Sequence, residues 1–94
     1  MSVLSERLRQ LREAHGLTVR EFAARIGKTP GYVSRIEGRG EIPSGELLCV
    51  IADAYRIDPG ELLGLAKQSQ LERTERDIDA KHASILAMYR KERK

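Results

Sequence analysis

Two closely spaced helix-start signals constrain this chain more than any other feature of its sequence. Thr18, with Glu21 three residues later, forms a capping box, in which each side chain accepts a hydrogen bond from the other residue's backbone. Thr29 followed by Pro30 is the second signal, because proline suits the first position of a helix. Gly27 lies between them and favours the left-handed conformation that ends helices. The pattern predicts two short helices joined by a turn of about four residues.

The second of these helices is predicted to have one buried face and one polar face. Val33 and Ile36 lie three residues apart and therefore share the face that packs inward. The opposite face carries Gly31, Ser34 and Arg35, and none of them offers a large apolar side chain to bury. A helix this short is marginal in isolation, so the rest of the domain must hold it from behind. Its polar face is predicted to contact a polar partner.

These residues resemble the Cro and phage-repressor type of helix-turn-helix domain. The resemblance covers roughly residues 4–63 and rests on Leu17-Thr18, Phe22-Ala23, the run from Tyr32 to Glu37, and Pro43-Ser44. It implies an all-α fold with a compact five-helix domain at residues 1–66. A long C-terminal helix, which its own pattern predicts, follows this domain. The resemblance also implies a sequence-specific DNA-binding protein, with a recognition helix at about residues 30–38 in the major groove.

The same resemblance assigns the DNA contacts to the recognition helix and its flanks. The residues expected to bind DNA are Arg20, Lys28, Thr29, Gly31, Tyr32, Ser34, Arg35 and Arg39. Among them, Arg35 is the main candidate for a bidentate hydrogen bond to guanine. At five positions this chain lacks the base- or phosphate-contacting side chain that is usual in the family. These positions are Val19, Pro30, Gly31, Glu41 and Ile42. Because few side chains of the recognition helix can contact base edges, we expect DNA shape to contribute to recognition.

The resemblance further implies one structural ion pair. In this family an arginine of the first helix pairs with the glutamate that closes the recognition helix. Arg12 and Glu37 match those two positions. We expect them to form a partly buried, bidentate pair that fixes the first helix against the third.

The last part of the chain, residues 67–94, follows a different pattern. Ser69 and Glu72 form another capping box, which predicts a separate helix of about twenty residues. One narrow apolar stripe runs along this helix between charged residues, and its members are Leu71, Ile78, His82, Ile85 and Tyr89. A helix cannot bury such a stripe by itself, so the helix either folds back on the domain or pairs with a second copy. We favour a homodimer through this stripe.

Charge is unevenly distributed along the chain. Residues 1–40 carry eight basic and four acidic side chains, whereas residues 41–66 carry one basic and five acidic side chains. The positive part is the one that contains the two short helices. This polarity favours binding to a phosphate backbone, to which lysine and arginine supply most of the affinity.

The composition argues against several other classes of protein. A single cysteine cannot form an internal disulfide, which favours a reducing, cytoplasmic location. His15, Cys49 and His82 are too scattered for a metal site, and no cofactor is expected. The longest apolar run, residues 47–52, is too short to span a membrane. The chain offers no pairing of nucleophile and base, and no paired carboxylates, that would indicate an enzyme.

A second hypothesis keeps the fold but changes the partner. The chain would then be a protein-interaction module, such as an antitoxin or an adaptor, and its C-terminal helix would bind a partner protein. The few base-reading side chains on the recognition helix favour this hypothesis, whereas the positive charge of residues 1–40 favours DNA. We prefer a repressor that binds a two-fold operator in double-stranded DNA as a homodimer.

Overall fold

The computed structural model describes the backbone of residues 2–92 and the side chains of residues 2–90. Five α-helices lie in this part of the chain: α1 (Val3–Ala14), α2 (Val19–Arg25), α3 (Pro30–Gly38), α4 (Gly45–Tyr55) and α5 (Pro59–Glu92). No β-strand occurs among the described residues. The predicted all-α fold is confirmed.

A capping side chain begins each of the first four helices. In every case its hydroxyl accepts a hydrogen bond from a first-turn N–H that has no partner within the helix. The capping residues are Ser2, Thr18, Thr29 and Ser44. The box predicted at Thr18 and Glu21 is present, with hydrogen bonds of 3.0 and 3.1 Å. The backbone N–H of Thr18, which donates to Glu21, lowers the pKa of that carboxyl below its usual value.

The turn between α2 and α3 also has the predicted form. Gly27 has a φ of +69°, in the left-handed region that glycine adopts without steric cost. The N–H of Lys28 donates to the carbonyl of Ala23 at 2.9 Å and so closes the end of α2. Pro30 is the first residue of α3, where its missing N–H leaves no partner unsatisfied. The local signals at residues 18–30 are therefore confirmed.

One hydrophobic core joins the five helices. Its large side chains come from every helix and are Leu4, Leu8, Leu11, Phe22, Ile26, Val33, Ile36, Leu47, Leu48, Ile51, Tyr55 and Leu62. Full burial of one such side chain stabilises a fold by about 1.5–3 kcal/mol. Packing against α1 and α2 thus holds the short helix α3.

The main departure from the sequence prediction is the continuity of α5. Its 34 residues join the last helix of the domain and the C-terminal helix into one element. The prediction that Ser69 starts a separate helix is therefore wrong. Ser69 is buried, and its hydroxyl accepts a hydrogen bond from the N–H of Leu4 at 3.3 Å. This N–H lies in the first turn of α1, where it lacks a helical partner, so Ser69 caps α1 instead.

The distal part of α5 extends away from the domain. Every residue from 73 to 90 is exposed, and the described chain measures 60 × 25 × 20 Å along its principal axes. Leu71, Ile78 and Ile85 have exposed fractions of 54%, 59% and 66%. The predicted apolar stripe does not fold back on the domain within the described residues.

Candidate nucleic-acid interface

The face of α3 that points away from the core is exposed along its length. Val33 and Ile36 are fully buried on the inner face, which fixes the orientation of the helix. Gly31, Ser34 and Arg35 are exposed on the outer face. The helix is therefore held rigidly from one side while the other side remains open to a partner.

The structure brings most of the predicted DNA-contacting residues to α3 and its two ends. Thr29 and Lys28 lie at the N-terminal end, and Arg39 follows the last residue of the helix. Arg20 is the exception, because it lies in the first turn of α2. All eight residues are exposed except Tyr32, which is partly buried.

Tyr32 organises two of the cations on this surface. The Nζ atom of Lys28 and the guanidinium carbon of Arg35 each lie 5.5 Å from the centre of its ring. Both distances fall within the range of cation–π attraction. Tyr32 also packs against the core, and burial raises the pKa of its hydroxyl. Two positive groups are thus held near a ring that is itself anchored to the domain.

Arg35 has a second partner that the sequence did not reveal. Its Nε donates to Oε2 of Glu41 at 3.1 Å, and the N–H of Glu41 donates to the carbonyl of Arg35 at 3.2 Å. Both side chains are 48% exposed. The hydrogen bonds among the described residues leave the two terminal nitrogens of Arg35 unused. Glu41 therefore orients the guanidinium while its two-nitrogen fork remains available.

Arg12 and Glu37 lie together at the junction of α1 and α3. The Nε of Arg12 donates to Oε2 of Glu37 at 2.9 Å, and its Nη2 donates to Oε1 at 3.1 Å. The Nη1 of Arg12 donates to the carbonyl of Leu17 at 2.9 Å. The two side chains are only 13% and 7% exposed, and the hydrogen bond to Glu37 raises the pKa of Arg12. This geometry is the bidentate, partly buried pair that we expected.

The residues of the predicted dimer interface all lie on the exposed part of α5. Leu71, Ile78 and Ile85 recur every seven residues, a spacing that keeps them on one side of a helix. His82 and Tyr89 are exposed beside them. Met88 is 62% exposed and widens the apolar surface beyond the predicted stripe.

Other kinds of site are not found in the part of the chain that the structure describes. Its histidine, cysteine and acidic side chains form no group of three or more that could hold a metal ion. None of the helices in residues 2–92 is long and apolar enough to cross a membrane.

Comparison with known families assigns the fold class. A family model described as a helix-turn-helix domain matches residues 3–66, which is more than half of the chain. The chain therefore belongs to the helix-turn-helix domain family, as the residues of α2 and α3 indicated.

Individual relatives agree with this family. Among curated proteins, the uncharacterized HTH-type transcriptional regulator YobD of Bacillus subtilis is 35% identical over 60 residues. The match covers 64% of this chain and 54% of YobD, so the chain spans about half the length of this relative.

Solved structures of the clp gene regulator ClgR from Corynebacterium glutamicum are also similar. One has a TM-score of 0.59 at 29% identity, and it covers 82% of this chain and 83% of the ClgR chain. Another has a TM-score of 0.55 at 37% identity, with coverages of 70% and 86%. The first coverage is larger than residues 1–66, so the likeness extends beyond the family-model match into the later part of α5.

Proposed function

We propose that this protein is a sequence-specific DNA-binding transcriptional regulator. In this proposal it acts as a repressor and binds a two-fold operator in double-stranded DNA as a homodimer. The observation that carries the proposal is the exposed polar face of α3, which the core holds from behind and which Lys28, Arg35 and Arg39 make positive. Membership of the helix-turn-helix family and the regulators among its relatives support the same function.

The geometry of Arg35 suggests how a base is read. In the major groove, guanine presents its O6 and N7 atoms as two neighbouring acceptors. The two terminal nitrogens of Arg35 match such a pair, while its Nε stays bonded to Glu41. Gly31 lacks a side chain, so the backbone of α3 can approach the DNA closely at that position. In this proposal Glu41, which departs from the family pattern, orients the guanidinium of Arg35.

The remaining cations suit the sugar-phosphate backbone. Lys28 and Arg39 lie at opposite ends of α3, and Arg20 lies in the first turn of α2. Contacts of this kind fix the register of a protein on DNA without reading its sequence. Thr29, which caps α3, and Ser34 on the outer face of that helix add hydroxyl groups that can form hydrogen bonds.

The proposed homodimer rests on the apolar stripe of α5. A single helix-turn-helix reads few base pairs, and two-fold dimers read half-sites about 34 Å apart. In a two-fold pairing, Leu71, Ile78 and Ile85 contact the same residues of a second copy or their near neighbours. Water would then be excluded from side chains that are more than half exposed in a single chain.

A gel-shift series with the DNA upstream of the protein's own gene tests this function. We expect a shift at low salt and a steep loss of affinity as salt rises, since phosphate contacts release counterions. Arg9→Ala is the control for a variant such as Arg35→Ala, which removes one positive charge from α3. Arg9 lies in α1, outside the proposed interface. A complete absence of binding at low salt would contradict the proposal.

A protein-interaction module, such as an antitoxin or an adaptor, is the second candidate. The exposed stripe of α5 favours it, because the same side chains would suit a helix of another protein. Glu41 favours it too, since a carboxylate close to α3 repels phosphate. The gel shift separates the candidates, because only the first requires binding to DNA.

A further inference from the structure

A small positively charged cavity lies where the loop after α3 meets α1 and α5. It has a volume of about 110 Å³, and three arginines line it: Arg39 from the loop, and Arg73 and Arg76 from α5. Ser2, Gly38 and Gly40 form most of the remaining wall. The described lining includes no aspartate or glutamate. Arg73 and Arg76 lie outside the match to the helix-turn-helix family.

Hydrogen bonds between distant parts of the chain hold the walls of this cavity. The Nη2 of Arg73 donates to the carbonyl of Gly40 at 3.1 Å, which ties α5 to the loop. The hydroxyl of Ser69 accepts from the N–H of Leu4, which ties α5 to α1. Gly40 has a φ of +70°, a conformation that glycine adopts readily. The site is therefore formed before any ligand arrives, which lowers the entropic cost of binding.

The charge of the cavity defines its ligand. Like charges gathered around one small space repel one another, and no carboxylate in the described lining offsets the three guanidinium groups. Among the described ion pairs, none involves Arg39 or Arg76. Guanidinium groups bind phosphate oxygens through paired, charge-assisted hydrogen bonds. An anion with several oxygens would satisfy all three arginines at once.

The volume limits the size of that anion. An engineered protein cavity of about 150 Å³ accommodates benzene, which has six heavy atoms. A cavity of 110 Å³ therefore suits a group of about five heavy atoms. We propose that the cavity binds a phosphate group.

Two kinds of molecule would supply such a phosphate group. One is a phosphodiester of the DNA backbone, in which case the inference rests on the proposed function. The other is inorganic phosphate or the phosphate of a small molecule, which requires no DNA. Either occupant would connect the end of α3 with the helix that carries the proposed dimer interface.

Titration of the ¹⁵N-labelled full chain with inorganic phosphate, at constant ionic strength and without DNA, tests the small-anion source. We expect the amide signals of Gly38 and Gly40 to shift and saturate. Arg76→Gln should weaken this binding about tenfold, because one charge-assisted pair is lost. Arg76 makes no hydrogen bond among the described residues, so this variant should keep the fold. Arg73 is less suitable for the test, because it also donates to the carbonyl of Gly40 and its replacement would loosen the loop.

Arg90→Gln is the matched control, since it removes one charge from the same helix outside the cavity. The second measurement is the salt dependence of DNA binding, where Arg76→Gln should lower the slope by about one if its partner is a DNA phosphate. Saturable phosphate binding that Arg76→Gln weakens, or a reduced slope, supports the proposal and identifies the source. Neither effect, or equal effects in Arg90→Gln, overturns it. If the wild type does not bind DNA at all, the phosphate titration alone decides.

Discussion

The outer face of α3 and the distal half of α5 are both exposed, but for different reasons. The core buries Val33 and Ile36 and so fixes α3, which leaves only polar and small residues outside. In α5, every residue from 73 to 90 is exposed, and apolar side chains such as Ile78 and Ile85 are among them. A polar face on an anchored helix suits a polar partner such as DNA. An apolar stripe on the part of α5 that extends beyond the domain suits another protein surface, which the proposed homodimer would supply.

The largest effect is expected when the stripe of α5 is made polar. Replacing both Ile78 and Ile85 with glutamate should remove on the order of 3–6 kcal/mol for each chain of the proposed homodimer, since burial of each side chain contributes about 1.5–3 kcal/mol. Light scattering of the full chain at micromolar concentration should then give the monomer mass of 10.6 kDa.

The matched control changes Ala80 and Ala87 to glutamate. These positions are also seven residues apart, but they lie on the opposite side of α5, so the added charge is the same while the stripe remains intact. This variant should stay dimeric. If the unmodified chain already scatters as a monomer, the homodimer is wrong.

The next largest effect concerns the anchoring of α3. Glu37→Ala should destabilise the fold by about 3 kcal/mol or more, because Arg12 would be left partly buried without its carboxylate partner. Chemical denaturation of the variant measures this loss. Glu13→Ala is a suitable control, since Glu13 lies 3.9 Å from Arg12 but is 61% exposed. That change should alter stability by less than about 0.5 kcal/mol. Equal stability of the two variants would rule out the anchoring role of Glu37.

A smaller effect is expected from Arg35, the side chain that is proposed to contact guanine. Arg35→Ala should cost about 1–3 kcal/mol of affinity on the operator and much less on random DNA. Parallel gel shifts on the two kinds of DNA measure the difference. Losses of the same size on both would mean that Arg35 contacts phosphate, and the proposed contact to guanine would have to be abandoned.

The smallest effect is expected from Glu41, which orients the guanidinium of Arg35. Glu41→Gln weakens an exposed ion pair, which is worth no more than about 1 kcal/mol. The same change removes a negative charge near the phosphates, so binding to random DNA should strengthen slightly. We therefore expect a lower ratio of operator to random affinity, measured in competition with random DNA. A higher ratio would show that Glu41 hinders Arg35 and does not orient it.

Much of the fold and part of the candidate site could be predicted from local sequence patterns. The caps at Thr18 and Thr29 and the glycine at residue 27 depend on partners within a few residues, so their geometry follows from chain order. The buried face of α3 follows from the helical period in the same way. The pairing of Arg12 with Glu37 was expected from a family resemblance, because 25 residues separate the partners.

Only the tertiary structure decided where the longer-range partners lie. The S-x-x-E pattern at Ser69 suggested a new helix, yet the hydroxyl bonds to Leu4, which is 65 residues away. The cavity arginines come together because Arg73 reaches Gly40 across 33 residues. No local pattern marks such contacts, since they depend on how α5 packs against α1 and the loop after α3. The sequence determined where each of the first four helices begins and which face of α3 is polar, because those features arise within a turn or two of helix. Packing across the whole chain determined what Ser69 and Arg73 do.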